Sequence, residues 1–253
     1  MIDIVRVLRE TFVAQAEHHP SLDSTNNRAA WCASRGPRDL PLLVVADEQT
    51  VGRGRGSKRW WTGRGCLAMS LLVDPATVAA EEGRSPLVAL AAAVAVAETV
   101  RANCPNHAAD IHWPNDVLVE GRKVSGILVE VLPDRRHVIG IGLNTNNHVA
   151  DAPAELRATV ATLCDLIGRE LDQTEVLIGL LGRLDRLFRQ LHDAPDAVAA
   201  RANALCVQRG RNVTLRWETQ LRTGLCHGIG PTGGILLETP DGVEAFYSGT
   251  TEG

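Results

Sequence analysis

The sequence predicts an α+β fold: a mixed, largely antiparallel sheet with flanking helices, followed by a small C-terminal β-barrel. Three observations predict it. Apolar segments of strand length follow one another from Ile111 onward with only tight turns between them, the pattern of hairpins and not of parallel βαβ units. Stretches with helical spacing of apolar residues lie on either side of that block. After Cys206 the chain changes to short strand-like runs separated by Gly, Pro and Asp turns, which suits a small barrel. A boundary there divides the chain into a unit 1–205 and a unit 206–253.

Taken in order, Asp3 to Gln15 is helical by the spacing of Ile4, Val7, Leu8 and Val13. Asp23 or Ser24 caps a second helix through Ala33. Leu42 to Ala46 and Cys66 to Val73 are strands, the latter stopped by Asp74-Pro75. Ser85-Pro86 opens a helix to about Asn103, with proline at a first-turn position where no donor is lost. Strands are then expected over Ile111–Trp113, Val117–Val119, Val124–Leu132 and His137–Leu143, with turns at Glu120-Gly121 and Pro133-Asp134. Thr174–His192 has a strong amphipathic pattern, and Ala197–Leu205 forms another helix. The barrel strands are Asn212–Trp217, Leu221–Ile229, Gly234–Glu238 and Val243–Ser248.

Composition narrows the function classes. The chain has 253 residues, 45% hydrophobic and 22% charged, ordinary for a globular protein. A formal net charge of -4 argues against a dedicated DNA binder, so no specific DNA partner is expected. The N-terminus MIDIVRVLRETF carries charges within its apolar pattern and is not a signal peptide. The longest apolar run, Leu87 to Ala97, is too short to span a bilayer and predicts a buried helix without a membrane partner. Six cysteines show no CxxC spacing, so reduced thiols in the cytoplasm are expected and structural zinc is not.

Against this background two tracts stand out. Residues 51–60 read VGRGRGSKRW, with Arg64 just beyond. Glycines bring backbone N–H groups close to an anion, and arginines add forked donors for phosphate or carboxylate. Trp60-Trp61 at the end of this loop can close over a flat or apolar ligand. With few apolar anchors, the loop is expected to order only around a ligand. The second tract, WPNDVLVEGRKVSGILVE, sets Asp116 and Lys123 on either side of a turn. Strict alternation from Lys123 puts Lys123, Ser125, Ile127 and Val129 on one face and Val124, Gly126 and Leu128 on the other. Both faces are mostly apolar, so the strand is central, and a lysine at its start can enter a cleft where Gly126 leaves room. Gly140 to Asn144 adds two glycines and an amide able to read a base edge. Each tract has a plain reading too: a basic surface loop, a turn, a solvated hairpin lysine, a strand end. Together they describe a phosphate-handling enzyme.

Five features in order carry a resemblance: Asp23-Ser24-Thr25-Asn26, Gln49 before Gly52-Arg53-Gly54-Arg55, Trp113-Pro114-Asn115-Asp116, Lys123 with Gly126-Ile127-Leu128, and Gly140 to Asn144. In them the chain resembles biotin protein ligases over nearly its whole length, Gly249 near the end included. The resemblance implies a catalytic domain like those of class II aminoacyl-tRNA synthetases, then an SH3-like barrel. It implies biotin and ATP with Mg²⁺ as reactants and biotinyl-5′-AMP as intermediate. A lysine of a biotin carboxyl carrier domain of a carboxylase would accept the biotin, and a homodimer would be compatible. Ser24, Thr25 and Gln49 would hold the ureido ring with the Gly52, Arg53 and Gly54 stretch, and Gly126 would give the ligand room. Arg55 and Lys123 would stabilise the reacting oxygens, with Asp116 orienting Lys123 or the incoming lysine, or helping to deprotonate the latter. Trp60, Asn115 and Asn144 would face the nucleotide. No residue is singled out as a metal ligand. The loop departs from the family where Gly56-Ser57 follow Arg55, because a second arginine is common there, and no operator-binding domain is expected before Ser24. Two other readings stand beside the ligase: a lipoate or octanoate transferase or ligase of the same superfamily, and a non-enzymatic biotin-binding protein.

Overall fold

The computed structural model describes residues 2–36, 39–78, 85–217 and 219–252. Its main sheet has seven strands: β1 (Gln15–His19), β2 (Leu42–Ala46), β3 (Leu67–Val73), β4 (Ala109–His112), β5 (Asp116–Val119), β6 (Arg122–Val131) and β7 (His137–Leu143). The spatial order is β1-β2-β3-β7-β6-β5-β4, antiparallel throughout except for the β1–β2 pair. A second, five-stranded antiparallel sheet follows, made of β8 (Asn212–Trp217), β9 (Gln220–Ile229), β10 (Ile235–Thr239), β11 (Gly242–Phe246) and β12 (Thr250–Glu252).

The helices are α1 (Ile4–Glu10), α2 (Thr25–Ser34), α3 (Ser85–Asn103), α4 (Leu163–Ile167), α5 (Gln173–Asp193) and α6 (Pro195–Ala204). Asp172 starts α5 by accepting from the backbone N–H groups of Thr174 and Glu175. Its buried stripe, including Leu177, Leu184 and Leu191, packs on α3. By length and composition α3 is apolar enough to cross a membrane. Here its alanines let it pack closely between the sheet, α5 and α6. The side chain of Ser85, expected with Pro86 to open this helix, lies outside the described residues.

The structure corrects three expectations. Helix α1 stops at Glu10, and Gln15 to His19 is an edge strand, because Ala14 and Gln15 donate to Pro41 and draw the chain alongside β2. The strand β12 and the single-turn helix α4 lacked the length to show a period. The third correction concerns register. Between β5 and β6, Val117 pairs with Ser125 but Leu118 pairs with Lys123, so Val124 is an extra residue. Such a bulge resets side-chain alternation.

Register decides what each face of the sheet can do. On one face Met69, Ile141 and Ile127 align across β3, β7 and β6 and are buried against the helices. On the opposite face the aligned residues are Ser70, Gly140 and Leu128, then Gly142, Gly126, Asp116 and His112. Helix α2 covers part of this second face through Ala29, Cys32 and Ala33 over Leu42, Val44, Leu72 and Val138. The remainder has glycines where core side chains would stand, and that leaves a cleft.

At Gly140 the close approach can be tested. A Cβ there would lie 2.1 Å from Asn26 Oδ1, an oxygen already accepting from Ser70 Oγ at 2.6 Å. Gly140→Ala is therefore expected to destabilise the fold by about 1–3 kcal/mol through overpacking, lowering Tm by several degrees in a thermal melt. An unchanged Tm would show that α2 yields at no cost.

Candidate active site

The cleft has a volume of about 370 Å³. Its floor is the glycine-bearing face of the sheet, its roof the loop 51–65, and its far wall the segment Gly249 to Thr251 of the second sheet. At its centre Lys123 Nζ lies 2.7 Å from Asp116 Oδ1. That oxygen is buried and makes no well-aligned hydrogen bond, so the contact is an ion pair held by charge. Lys123 Nζ also lies 3.2 Å from where a Cβ on Gly126 would sit. Lys123 thus shares the Gly126 face, not the Ser125–Ile127 face expected from strict alternation, and the bulge is the reason. Its backbone is clamped as well, since Lys123 N–H donates to Thr159 and Lys123 C=O accepts from Ala161.

Trp60 covers this floor. Its ring lies against both Gly126 and Gly142, where a Cβ would meet ring atoms at 3.2 Å and 2.3 Å. Lys123 Nζ sits 5.6 Å from the ring centroid, at cation–π range. The loop leading to Trp60 makes contacts of its own. Arg53 forms a two-armed pair with Glu130 at 2.8 and 3.0 Å and reaches Asn27. Trp60 N–H donates to Gly52 C=O, and Gly54 N–H to Lys58 C=O. Arg55 donates to Gly249 C=O at 3.1 Å and lies at the limit of hydrogen bonding to Asn115, 3.5 Å away. Burial pulls the Arg55 guanidinium below its ordinary pKa, with Asp116 pulling the other way. A desolvated guanidinium tied only to neutral oxygens is a strong site for an anion.

The opposite end of the cleft is polar and uncharged. Gln49 Oε1 accepts from Thr25 N–H and Oγ1, and Gln49 Nε2 donates to Thr62. Ser70 Oγ lies within hydrogen-bond range of both Thr25 Oγ1 and Asn26 Oδ1. Ser24 precedes α2 yet makes no capping bond, so its hydroxyl stays available to the cleft.

Most of the expected site residues line one cleft: Ser24, Thr25, Gln49, Arg53, Gly54, Arg55, Trp60, Asn115, Asp116, Lys123 and Gly126. Two do not. Gly52 is buried behind Trp60. Asn144 is 1% exposed, donates to Ala161 C=O and accepts from Asn147. Its amide is bonded within the turn after β7. Sequence reasoning missed Glu130, the anchor of Arg53, and His112, which lines the cleft beside Asp116. His112 directly precedes Trp113-Pro114-Asn115-Asp116 on an alternating strand, and that adjacency was the available signal. Burial holds its imidazole below the ordinary pKa, Lys123 and Lys58 adding to this and Asp116 opposing it. Thr251 Oγ1 lies 3.3 Å from its Nε2.

Comparison with known proteins bears on what such a cleft does. The model of the Biotin/lipoate A/B protein ligase family matches residues 20–146. The chain is 32% identical to the "Bifunctional ligase/repressor BirA" of Bacillus subtilis, over 93% of this chain and 73% of that protein. It is 31% identical to the "Biotin--[acetyl-CoA-carboxylase] ligase" of Mycobacterium tuberculosis, over 92% of this chain and 89% of that one. Among solved structures, the biotin protein ligase of Aquifex aeolicus in complex with biotin and ATP superposes with a TM-score of 0.82 at 27% identity. That match covers 94% of this chain and 97% of the other.

If Arg53 and Glu130 hold the roof, removing either should loosen it. Arg53→Ala and Glu130→Gln are each expected to speed tryptic cleavage within 51–65 while changing Tm little, because the pair is partly exposed. Cleavage at the unaltered rate would show that the Arg53–Glu130 pair does not hold the loop.

Proposed function

The chain belongs to the Biotin/lipoate A/B protein ligase family, and from that membership we propose how this cleft activates biotin with ATP and passes it to a carrier lysine. The activity is that of an ATP-dependent biotin protein ligase. The observation that carries the residue assignment is the sheet face on which Asp116, Lys123 and a glycine floor lie under Trp60 and Arg55.

Biotin enters with its ureido ring among Ser24, Thr25 and Gln49, whose hydroxyls and amide match its donors and acceptor. A lipoyl dithiolane offers those groups no hydrogen bond in return, and a site built for hydrogen bonds rejects an analogue that lacks them. The biotin carboxylate then points toward Lys123. Joining it to ATP brings two anions together, so fixed positive charge is needed where they meet. Lys123 and Arg55 supply it, Lys123 positioned by Asp116 and Arg55 by Asn115 and Gly249 C=O. The carboxylate oxygen attacks the α-phosphorus and pyrophosphate leaves. Trp60 and Asn115 flank the space left for the nucleotide. Asp116 is the one carboxylate on the cleft among the described residues, and Lys123 already occupies it. Mg²⁺ would therefore enter with ATP as part of the substrate.

In the second half-reaction the acceptor lysine must lose a proton before its nitrogen attacks the acyl carbon and AMP leaves. Its ordinary pKa of about 10.4 makes a nearby base useful. Neutral His112 at the cleft wall takes that proton, and Asp116 beside it steadies the resulting imidazolium. The acceptor lysine is that of a biotin carboxyl carrier domain; the name of the Mycobacterium tuberculosis relative gives acetyl-CoA-carboxylase as that protein's target. The division into a catalytic unit 1–205 and a C-terminal unit 206–253 gives the second sheet a part in the site through Gly249 and Thr251. Six free, buried thiols suit a reducing compartment.

The test is ATP–pyrophosphate exchange, expected to require biotin and to ignore lipoate. Lys123→Ala should slow it by roughly two orders of magnitude or more, a few kcal/mol of transition-state stabilisation, with the fold retained. Exchange supported equally by lipoate would overturn the substrate assignment, and near-normal exchange in Lys123→Ala would make Lys123 a surface residue.

His112 gives a pH signature. Its folded pKa lies below the ordinary value, so the base form is present at neutral pH and disappears as pH falls through that lowered value. Transfer from preformed biotinyl-5′-AMP should therefore show an acid limb centred below about 6.5, and His112→Gln should transfer more slowly and lack that limb. The same limb persisting in the variant would exclude His112 as the base.

A further inference from the structure

A second group of chemistry-bearing side chains lies outside the cleft, and nothing in the ligase reaction uses it. His148 follows the turn after β7, and Cys164 and Asp165 occupy the first turn of α4. Their ligand atoms lie within 4.8 Å of one another. His148 Nδ1 is 2.7 Å from Asp165 Oδ1, Cys164 Sγ is 3.7 Å from His148 Nδ1, and the same sulfur is 3.8 Å from Asp165 Oδ1. We propose that these three residues form a binding site for a borderline-soft divalent cation of the zinc type.

The separations fit such an ion. With metal–sulfur bonds of roughly 2.3 Å and metal–nitrogen or –oxygen bonds of roughly 2.0 Å, tetrahedral ligand atoms stand roughly 3.3–3.6 Å apart. The two distances to sulfur already approach that range, and the His148–Asp165 distance needs to open by roughly half an ångström. The donor set of imidazole, thiolate and carboxylate selects zinc or cobalt over the hard cations magnesium and calcium, which take oxygen ligands. It leaves a fourth position for water.

The surroundings hold the donors in place. Val149 N–H donates to Asp165 Oδ2, so Oδ1 is the oxygen left to face the cation. Cys164 is 3% exposed, and its backbone N–H donates to Thr145 C=O. His148 and Asp165 are open to solvent and form the entry side. Binding displaces the thiol proton to water as the metal–sulfur bond forms. A cation here would tie the turn 144–148 to α4. The expectation that structural zinc is absent rested on CxxC spacing, which this site does not use.

The test is titration of the reduced, chelator-stripped full chain with Co²⁺ under anaerobic conditions. One equivalent should produce a thiolate-to-cobalt charge-transfer band, and Zn²⁺ should quench it. His148→Ala and Asp165→Asn should each weaken Co²⁺ binding at least tenfold, and Cys164→Ser should abolish the band. His148→Ala changes an exposed side chain, so it remains decisive if Cys164→Ser fails to fold. No band in the unaltered chain, or a band that survives in both Cys164→Ser and His148→Ala, would overturn the proposal.

Discussion

The cleft depends on one ion pair across one bulge. Asp116 opens β5, Lys123 lies near the start of β6, and the extra residue Val124 between matched positions turns Lys123 onto the face of Asp116. If the strand ran on with regular alternation instead of a bulge, the ammonium would point toward Ser125 and Ile127, into a buried apolar layer where an unpaired charge is costly. With it, the charge sits over Gly126 and under Trp60, partly desolvated and already paired. The carboxylate gains from the same arrangement, since its buried Oδ1 has Lys123 as its ionic partner. Removing either charge leaves the other at the cleft wall without its counterion.

The glycines and the loop follow from this placement. Gly126, Gly140 and Gly142 align across β6 and β7, which lets Asn26 and Trp60 come down onto the sheet. The neutral hydrogen-bonding end of the cleft and its cationic end are joined through Glu130, which holds Asn26 on one side and Arg53 on the other. That connection couples the floor to the roof. Arg55, carried by the same roof, reaches the carbonyl of Gly249 and so ties the second sheet to the site.

Much of this was legible in the sequence, and what was not has identifiable causes. The strands Leu42–Ala46 and His137–Leu143 are apolar runs with clear stops, and they occur where expected. Helices α3 and α5 are long and show their length and periodicity plainly. The gathering of Arg55, Asp116, Lys123 and Gln49 into one cleft followed from the motif pattern. The face of Lys123 did not, because a bulge is a property of pairing between strands and leaves no period in either one. The bonds of Asn144 to Ala161 and Asn147 were hidden for a similar reason, since they depend on how the chain turns after β7. The strand at Gln15–His19 depends on Pro41 and β2, which sequence spacing near residue 15 does not reveal.

The proposed role of Asp116 is to serve the activation step by holding Lys123. A double-mutant cycle in biotin-dependent ATP–pyrophosphate exchange tests it most directly, using Asp116→Ala, Lys123→Ala and the double variant. The account predicts strong coupling, with the double variant no slower than Lys123→Ala alone. Losses that multiply, so that the double variant is slower by the product of the two single effects, would mean that the residues act independently and would contradict it.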